Sequence, residues 1–185
     1  FNIDVDNIQI VKFVDEGRAG RIIENAGKSN SKGAEFSFRY NPTPRFILFG
    51  EYGFADAKFT KYQMAVKDDI VDYTGNYIPF APRHTLAVGS SYSFAFGASS
   101  LIDRLTFNAQ YSGVGDIYWT EDNSEKQNFY GMTNGSISIQ KKAFGFEVWG
   151  KNIFETKYNA FLFNVSDMTG DNNIYVQRGY PARFG

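Results

Sequence analysis

The sequence predicts an all-β protein, an antiparallel up-and-down meander of about eight strands that forms part of the wall of a transmembrane β-barrel. The first observation is alternation. Ala34, Phe36, Phe38 and Tyr40 share one side of an extended segment, while Glu35, Ser37, Arg39 and Asn41 share the other, because successive strand side chains point to opposite faces. Phe46, Leu48, Gly50, Tyr52 and Phe54 repeat the pattern, as do Leu86, Val88, Tyr92, Phe94 and Phe96, and again Leu105, Phe107, Ala109 and Tyr111. The second observation is length: the runs approach the ~9–11 residues that a tilted membrane strand needs, against a mean of ~5–6 in soluble domains. The third is the sorting of connections, since brief turns alternate with long polar stretches, as in outer-membrane barrels. Alternation by itself also fits a soluble sandwich, which hides one face of each strand.

Phe1 to Phe13 reads as a first strand whose apolar phase slips between Val5 and Ile8, the mark of a bulge near Asp6-Asn7. The charged turn Asp15–Gly20 leads into a return segment from Arg21 to Asn41, interrupted by polar and glycine residues from Asn25 to Lys32. Asn41-Pro42-Thr43-Pro44 is a short turn, after which Arg45 to Phe59 climbs. Tyr62 to Ala81 is the longest irregular stretch, and its closing prolines Pro79 and Pro82 block ladder hydrogen bonds and mark where pairing stops. His84 to Phe96 descends, Gly97 to Ile102 turns, and Asp103 to Gly113 climbs. Gly115 to Asn128 is a second long loop; Phe129 to Gln140 descends, Lys141-Lys142-Ala143 turns, and Phe144 to Tyr158 climbs. A third long loop, Asn159 to Asn173, precedes a short piece from Ile174 to Arg178. The whole chain, 1–185, reads as one wall segment with its last strand incomplete.

Composition narrows the chemistry. Aromatic residues make up 18% of the chain, with 19 Phe and 12 Tyr, which suits interfacial girdles. The net charge is −1, from 19 basic and 20 acidic residues without a Lys/Arg cluster, so no nucleic-acid footprint is expected. Absence of cysteine removes thiolate metal sites, disulfides and cysteine catalysis together. His84 is the sole histidine; without a second imidazole it reads as structural rather than as a metal ligand. Asp68, Asp69 and Asp72 lack the alternating acids and closing Glu of a calcium loop. No nucleophile elbow is present, so no enzyme, cofactor or metal is expected.

Three motifs carry a resemblance. Asn25-Ala26-Gly27-Lys28 followed by Lys32-Gly33-Ala34-Glu35, then Gly75 to Thr85, then Gly150-Lys151-Asn152-Ile153-Phe154-Glu155-Thr156-Lys157-Tyr158, resemble the closing third of TonB-dependent outer-membrane receptors, in that family's order and over nearly the whole chain. The ending departs from the family pattern, since Ala182 is inserted in Gly179-Tyr180-Pro181-Ala182-Arg183 and the chain stops at Gly185; it reads as a fragment. The resemblance implies a 22-stranded type of barrel with a plugged lumen, located in a Gram-negative outer membrane. It also implies active uptake of a scarce nutrient of iron-siderophore, cobalamin or glycan type. Its partners would be outer-membrane lipid, the rest of the barrel and its plug, TonB through that plug, and the small-molecule ligand. The candidate ligand-contacting loop residues are Tyr73, Tyr77, Asp116, Tyr118, Trp119, Asp122 and Phe163. Acidic residues in the loops weigh against a strongly anionic ligand. A passive porin or small closed barrel, and a soluble β-rich binding module, are the other readings of the same strands.

Overall fold

The computed structural model describes residues 1–14, 20–25, 27–66, 69–97, 99–164 and 174–185. The predicted turn residues Asp15 to Ala19, and Ala26 and Asp68, lie outside the described residues. The first strand, β1 (Asn2–Asp6), lies at one edge of the wall, and β2 (Gln9–Val14) and β3 (Gly20–Asn25) form a separate hairpin. The long strands β4 (Lys28–Thr43) and β5 (Phe46–Lys61) follow, then the hairpin β6 (Gln63–Val66) and β7 (Asp69–Asp72). Next come β8 (His84–Ala95), β9 (Arg104–Gly115) and the small ladder β10 (Ile117–Tyr118) with β11 (Lys126–Gln127). The chain closes with β12 (Tyr130–Lys141), β13 (Phe144–Lys151), the hairpin β14 (Asn159–Asn164) and β15 (Ile174–Arg178), and β16 (Arg183–Phe184). The wall is one eight-stranded antiparallel sheet in the order β1-β4-β5-β8-β9-β12-β13-β16.

Several boundaries differ from expectation; the strand read from Phe144 to Tyr158 ends at Lys151, and the stretches read as loops from Tyr62 and from Asn159 carry β6, β7 and β14. Phe1 to Phe13 is two strands in different sheets, because Asn7 adopts φ 58° and turns the chain out of the wall where a bulge would have kept it in. The interruption read from Asn25 to Lys32 is shorter: β3 ends at Asn25 in one sheet and β4 begins at Lys28 in another, and Lys28 to Lys32 is the top of β4, paired on both sides with β1 and β5. The eighth wall strand is Arg183–Phe184 on β13, while Ile174–Arg178 pairs with β14. Four long connections, not three, therefore stand at one end of the wall, and the short turns stand at the other.

Register carries the alternation across the sheet. Tyr52 faces Phe36 and Leu86, Tyr92 faces Phe46 and Phe107, and Ile137 faces Phe107 and Val148. One apolar face results, and it is bare: Phe36 is 63% exposed, Phe146 67% and Phe144 81%. The other face carries Glu35, Ser37, Glu51, Thr106, Asn108, Gln110, Ser138 and Glu147. Lipid on the first side and a hydrated lumen on the second satisfy both. From Phe46 to Phe54 the apolar phase of β5 covers about 30 Å of strand, or about 23 Å of bilayer at the usual ~40° tilt, close to the ~25 Å apolar band of such walls. Aromatic pairs rim both ends. Phe46, Tyr92, Phe94 and Phe107 cluster near the short turns at centroid spacings of 4.7–6.2 Å. At the long-loop end Tyr52 shares a 2.8 Å hydrogen bond between its hydroxyl and His84 Nδ1, so the lone histidine packs into the outer girdle.

Two polar devices fix the ends. Asn152, buried and at φ 49°, donates through Nδ2 to the carbonyls of Thr156 and Tyr180 at 3.0 Å each. Its Oδ1 accepts from Thr156 N at 2.9 Å, and its own N–H reaches Asn134 Oδ1 at 2.9 Å. The Lys151-Asn152-Ile153 step thus ties β12, the turn after β13 and the approach to β16. At the opposite end the Asp103 carboxylate accepts from Lys142 N at 2.7 Å and Lys141 Nζ at 2.9 Å, and Lys141 also donates to Ser100 O at 2.6 Å. These contacts, the Lys142 amide foremost, hold the Asp103 carboxyl below its ordinary range.

Replacing Asn152 with Ala leaves main-chain groups unpaired and is expected to cost about 2–3 kcal/mol, read as a lower unfolding temperature of the complete barrel in detergent; an unshifted transition would refute the clamp. A folded-state pKa that is lowered adds stability above the unfolded value of about 3.9 and loses it as pH falls through the folded value. The stability deficit of Asp103→Asn should accordingly be present at neutral pH and shrink below about pH 4.

Candidate ligand-facing loop site

Burial is concentrated at the long-loop end. Among the described residues the buried apolar side chains are Ala57, Phe59, Tyr62, Ile117, Trp119 and Leu162, all at or beyond the top of the wall strands. A wall between lipid and lumen needs no core of its own, but loops in water do. The Phe59 and Tyr62 rings meet at 4.7 Å, tilted by 51°, with Ile8, Met64, Tyr73 and Ile78 packed around them. Ile117, Trp119 and Leu162 form a second cluster with Val114. Phe80 bridges to it, meeting Trp119 at 5.5 Å and Phe161 at 5.4 Å.

Polar side chains lock one loop to the next. Asn123, at φ 57°, offers its amide to the main chain of Tyr77 as a strand would: Tyr77 N donates to Asn123 Oδ1 at 2.7 Å, and Asn123 Nδ2 donates to Tyr77 O at 2.9 Å. Asn76 Nδ2 donates to Glu121 O at 2.9 Å, and Asn159 N to Gln127 Oε1 at 2.9 Å. The described parts of the connections 62–83, 116–129 and 152–182 are thereby one cap, and Ile8 ties the first connection to it.

The candidate residues occupy different parts of this cap. Tyr73 packs on Tyr62 at 5.4 Å. Tyr77 lies parallel to Tyr118 at 5.1 Å, with an interplanar angle of 2°. Lys58 Nζ stands 4.7 Å and the Arg83 guanidinium carbon 4.6 Å from the Tyr77 ring centre, while Lys126 Nζ stands 5.6 Å from that of Tyr118. Trp119 is 6% exposed, and among the described residues its Nε1 has no acceptor. Asp116 pairs with Lys126 at 3.3 Å. Phe163 faces Tyr175 across the β14–β15 ladder; its side chain lies outside the described residues.

Side matters as much as position. β5 is unbroken past Phe54, so Lys58 keeps the outward phase, and Tyr77, opposite Lys58, shares it. At Asp116 a φ of 46° turns the chain over. Ile117 and Trp119 then join Val114 of the lumen phase, and Tyr118, paired with Lys126, falls outward. Neither assignment is visible in the sequence, because two positive-φ residues, Phe80 and Asp116, reset the count.

The loop carboxylates are engaged locally. Asp72 accepts from Thr74 N at 2.9 Å and Gln63 Nε2 at 3.1 Å, and contacts with Thr74 chiefly lower its pKa. Burial pushes Asp122 up, but hydrogen bonds from Thr120 and from the Ser124 N–H and hydroxyl outweigh it and leave the carboxyl below its ordinary value. Both carboxylates therefore stay ionised and are held in place by neutral neighbours.

Residues 1–177 match the family described as TonB dependent receptor-like, beta-barrel. The fold is also similar to three solved receptors. The ferric yersiniabactin uptake receptor FyuA of Yersinia pestis superposes with a TM-score of 0.72 at 20% identity, over 88% of this chain and 23% of that one. The siderophore receptor PiuA of Acinetobacter baumannii gives 0.71 at 15% identity, over 98% and 24%. The ferric preacinetobactin receptor BauA, also of Acinetobacter baumannii, gives 0.62 at 14% identity, over 99% and 25%. The chain spans about a quarter of the length of each. The family is one of outer-membrane transport barrels with a plug and a TonB interaction, not of enzymes. With its eight-stranded meander, bare apolar face and match over 177 residues, this chain belongs to the TonB-dependent receptor family and forms part of its β-barrel.

Proposed function

We propose that the protein is an energised outer-membrane importer of a scarce nutrient of the ferric-siderophore class, for which this chain supplies lipid-facing wall, lumen lining and an outer-loop cap. Membership of the family carries this reading, and the names of the three similar receptors favour an iron chelate over cobalamin or a glycan. The nutrient enters from outside the cell onto the lumen side of the cap, a plug fills the lumen, and TonB acts through that plug.

On this reading Tyr73, Trp119, Asp122 and Phe163 are the nearer ligand contacts, while Asp116, Tyr77 and Tyr118 set the cap's shape. Trp119 is the best candidate. A buried donor without an acceptor costs about 1–3 kcal/mol and calls for an explanation; an acceptor brought by the ligand is one.

Cells expressing the complete receptor as their sole route for a labelled ferric chelate should accumulate it only while TonB is present; uptake that persists without TonB would replace the importer by a passive pore. Trp119→Phe retains the ring and removes the N–H, and is expected to weaken chelate binding by roughly ten-fold, the equivalent of about 1.4 kcal/mol. Unchanged affinity would take Trp119 out of the site and leave the importer standing.

A further inference from the structure

The lumen side of the wall sorts its charge by strand. On β4 and β5 the lumen phase holds Glu35, Arg39 and Glu51, and on β13 it holds Glu147 and Lys151. Between them lie β8, β9 and β12. From the rung Thr85–Val114–Tyr130 beneath the cap down to the rung Ser93–Thr106–Ser138, no lumen-phase residue of these three strands is charged. Arg104 is the first, one rung lower. The uncharged lane is about 27 Å long at the rise of a strand, and about 19 Å separate β5 from β13 at the spacing of neighbouring strands.

The lane also answers its own polar groups. Asn108 Nδ2 donates to Ser136 Oγ at 3.0 Å, and the hydroxyls of Ser93 and Thr106 share a bond of 3.0 Å. Asn134 Oδ1 accepts from Asn152 N. Its side chains are small at Ala87, Gly89, Ser91 and Ser112. One margin is the Phe49 ring of β5, laid over Gly89, and the other is Trp149 of β13, opposite Ser136. The flanking strands differ: among the described residues Glu35, Arg39, Glu51 and Glu147 form no ion pair. Hydrogen bonds to charged groups are about twice as strong as neutral ones, so a body filling the lumen is gripped at β4–β5 and β13 and parts first from β8–β9–β12.

We infer, resting on the importer reading above, that the nutrient passes between plug and wall along this uncharged lane while the charged strands on either side keep the plug seated. The head of the lane is where the nutrient is bound: Val114 belongs to the Ile117–Trp119–Leu162 cluster, and Tyr130 beside it stacks on Tyr158 at 4.2 Å. A passage needs contacts that are weak and many, because a site that binds too firmly does not release. Hydroxyls and amides at every second residue of three adjacent strands supply such contacts.

Two single cysteines in the complete receptor test it, Ser112→Cys inside the lane and Ser37→Cys in the charged sector. They share one rung through Glu51 and Ala87 and so lie at the same depth, and each exchanges one oxygen for sulfur. Cells are exposed to a soluble maleimide while they take up a labelled ferric chelate. Labelling of Ser112→Cys is expected to rise about ten-fold when TonB and chelate are both present, as the open state gains population, whereas Ser37→Cys keeps its resting rate. The bulky adduct at position 112 should then stop uptake while chelate still binds at the cell surface. TonB-dependent uptake with no rise at Ser112→Cys, or with an equal rise at both positions, overturns the lane, as does full uptake by receptor carrying the adduct at position 112. Uptake by the unaltered receptor that persists without TonB strikes the importer reading instead.

Discussion

Every peptide group inside a bilayer must find its hydrogen-bond partner within the protein, since hydrocarbon offers none and each orphan costs several kcal/mol. The wall is the answer to that constraint. β4, β5, β8, β9, β12 and β13 pair in sequence order with continuous registers through the apolar band, and β1 and β16 pair at its long-loop end. Once pairing is obligatory and each strand crosses fully, the side chains have one freedom left, which is to alternate between lipid and lumen. The sheet leaves one flank of β1 and one of β16 without a neighbouring strand among the described residues, and in hydrocarbon such flanks close only against further strands of the same barrel.

Where hydrocarbon ends, the rules change within a few residues. Below Phe54, His84 and Gly115 large side chains can point outward at no cost, because lipid covers them. Above that line water returns, and the chain must gather apolar groups inward as any soluble protein does. It does so in two clusters, around Phe59–Tyr62 and around Trp119–Leu162. The turnover is made by main-chain geometry: the positive φ at Phe80 and Asp116 frees the loops from the phase of the strands that carry them.

The wall was legible in the sequence because a period of two survives from residue to residue. Phe46 to Phe54 and Leu105 to Tyr111 appear in the structure as read, whereas the strand read from Phe144 to Tyr158 ends at Lys151, where the positive φ of Asn152 turns the chain. What the sequence hid falls into two kinds. A single residue in the left-handed region leaves no periodic trace, so the turn at Asn7 read as a bulge and the sides of Tyr77 and Tyr118 were unreadable. Contacts between distant side chains and main chain, such as Asn123 on Tyr77 and Asn76 on Glu121, leave no pattern either. Those contacts make three loops into one body, whereas the sequence presented three separate ones.

The interlocked cap also divides the outer surface by its tolerance for change. Insertions or substitutions near Asn123, Tyr77 or Phe80 must satisfy two or three loops at once, whereas β15 stands exposed along its whole length. Selection by phage, antibody or a new nutrient can therefore rewrite such exposed positions while the tied base holds its shape, so that a lineage changes what it meets at its surface without re-solving how to fold.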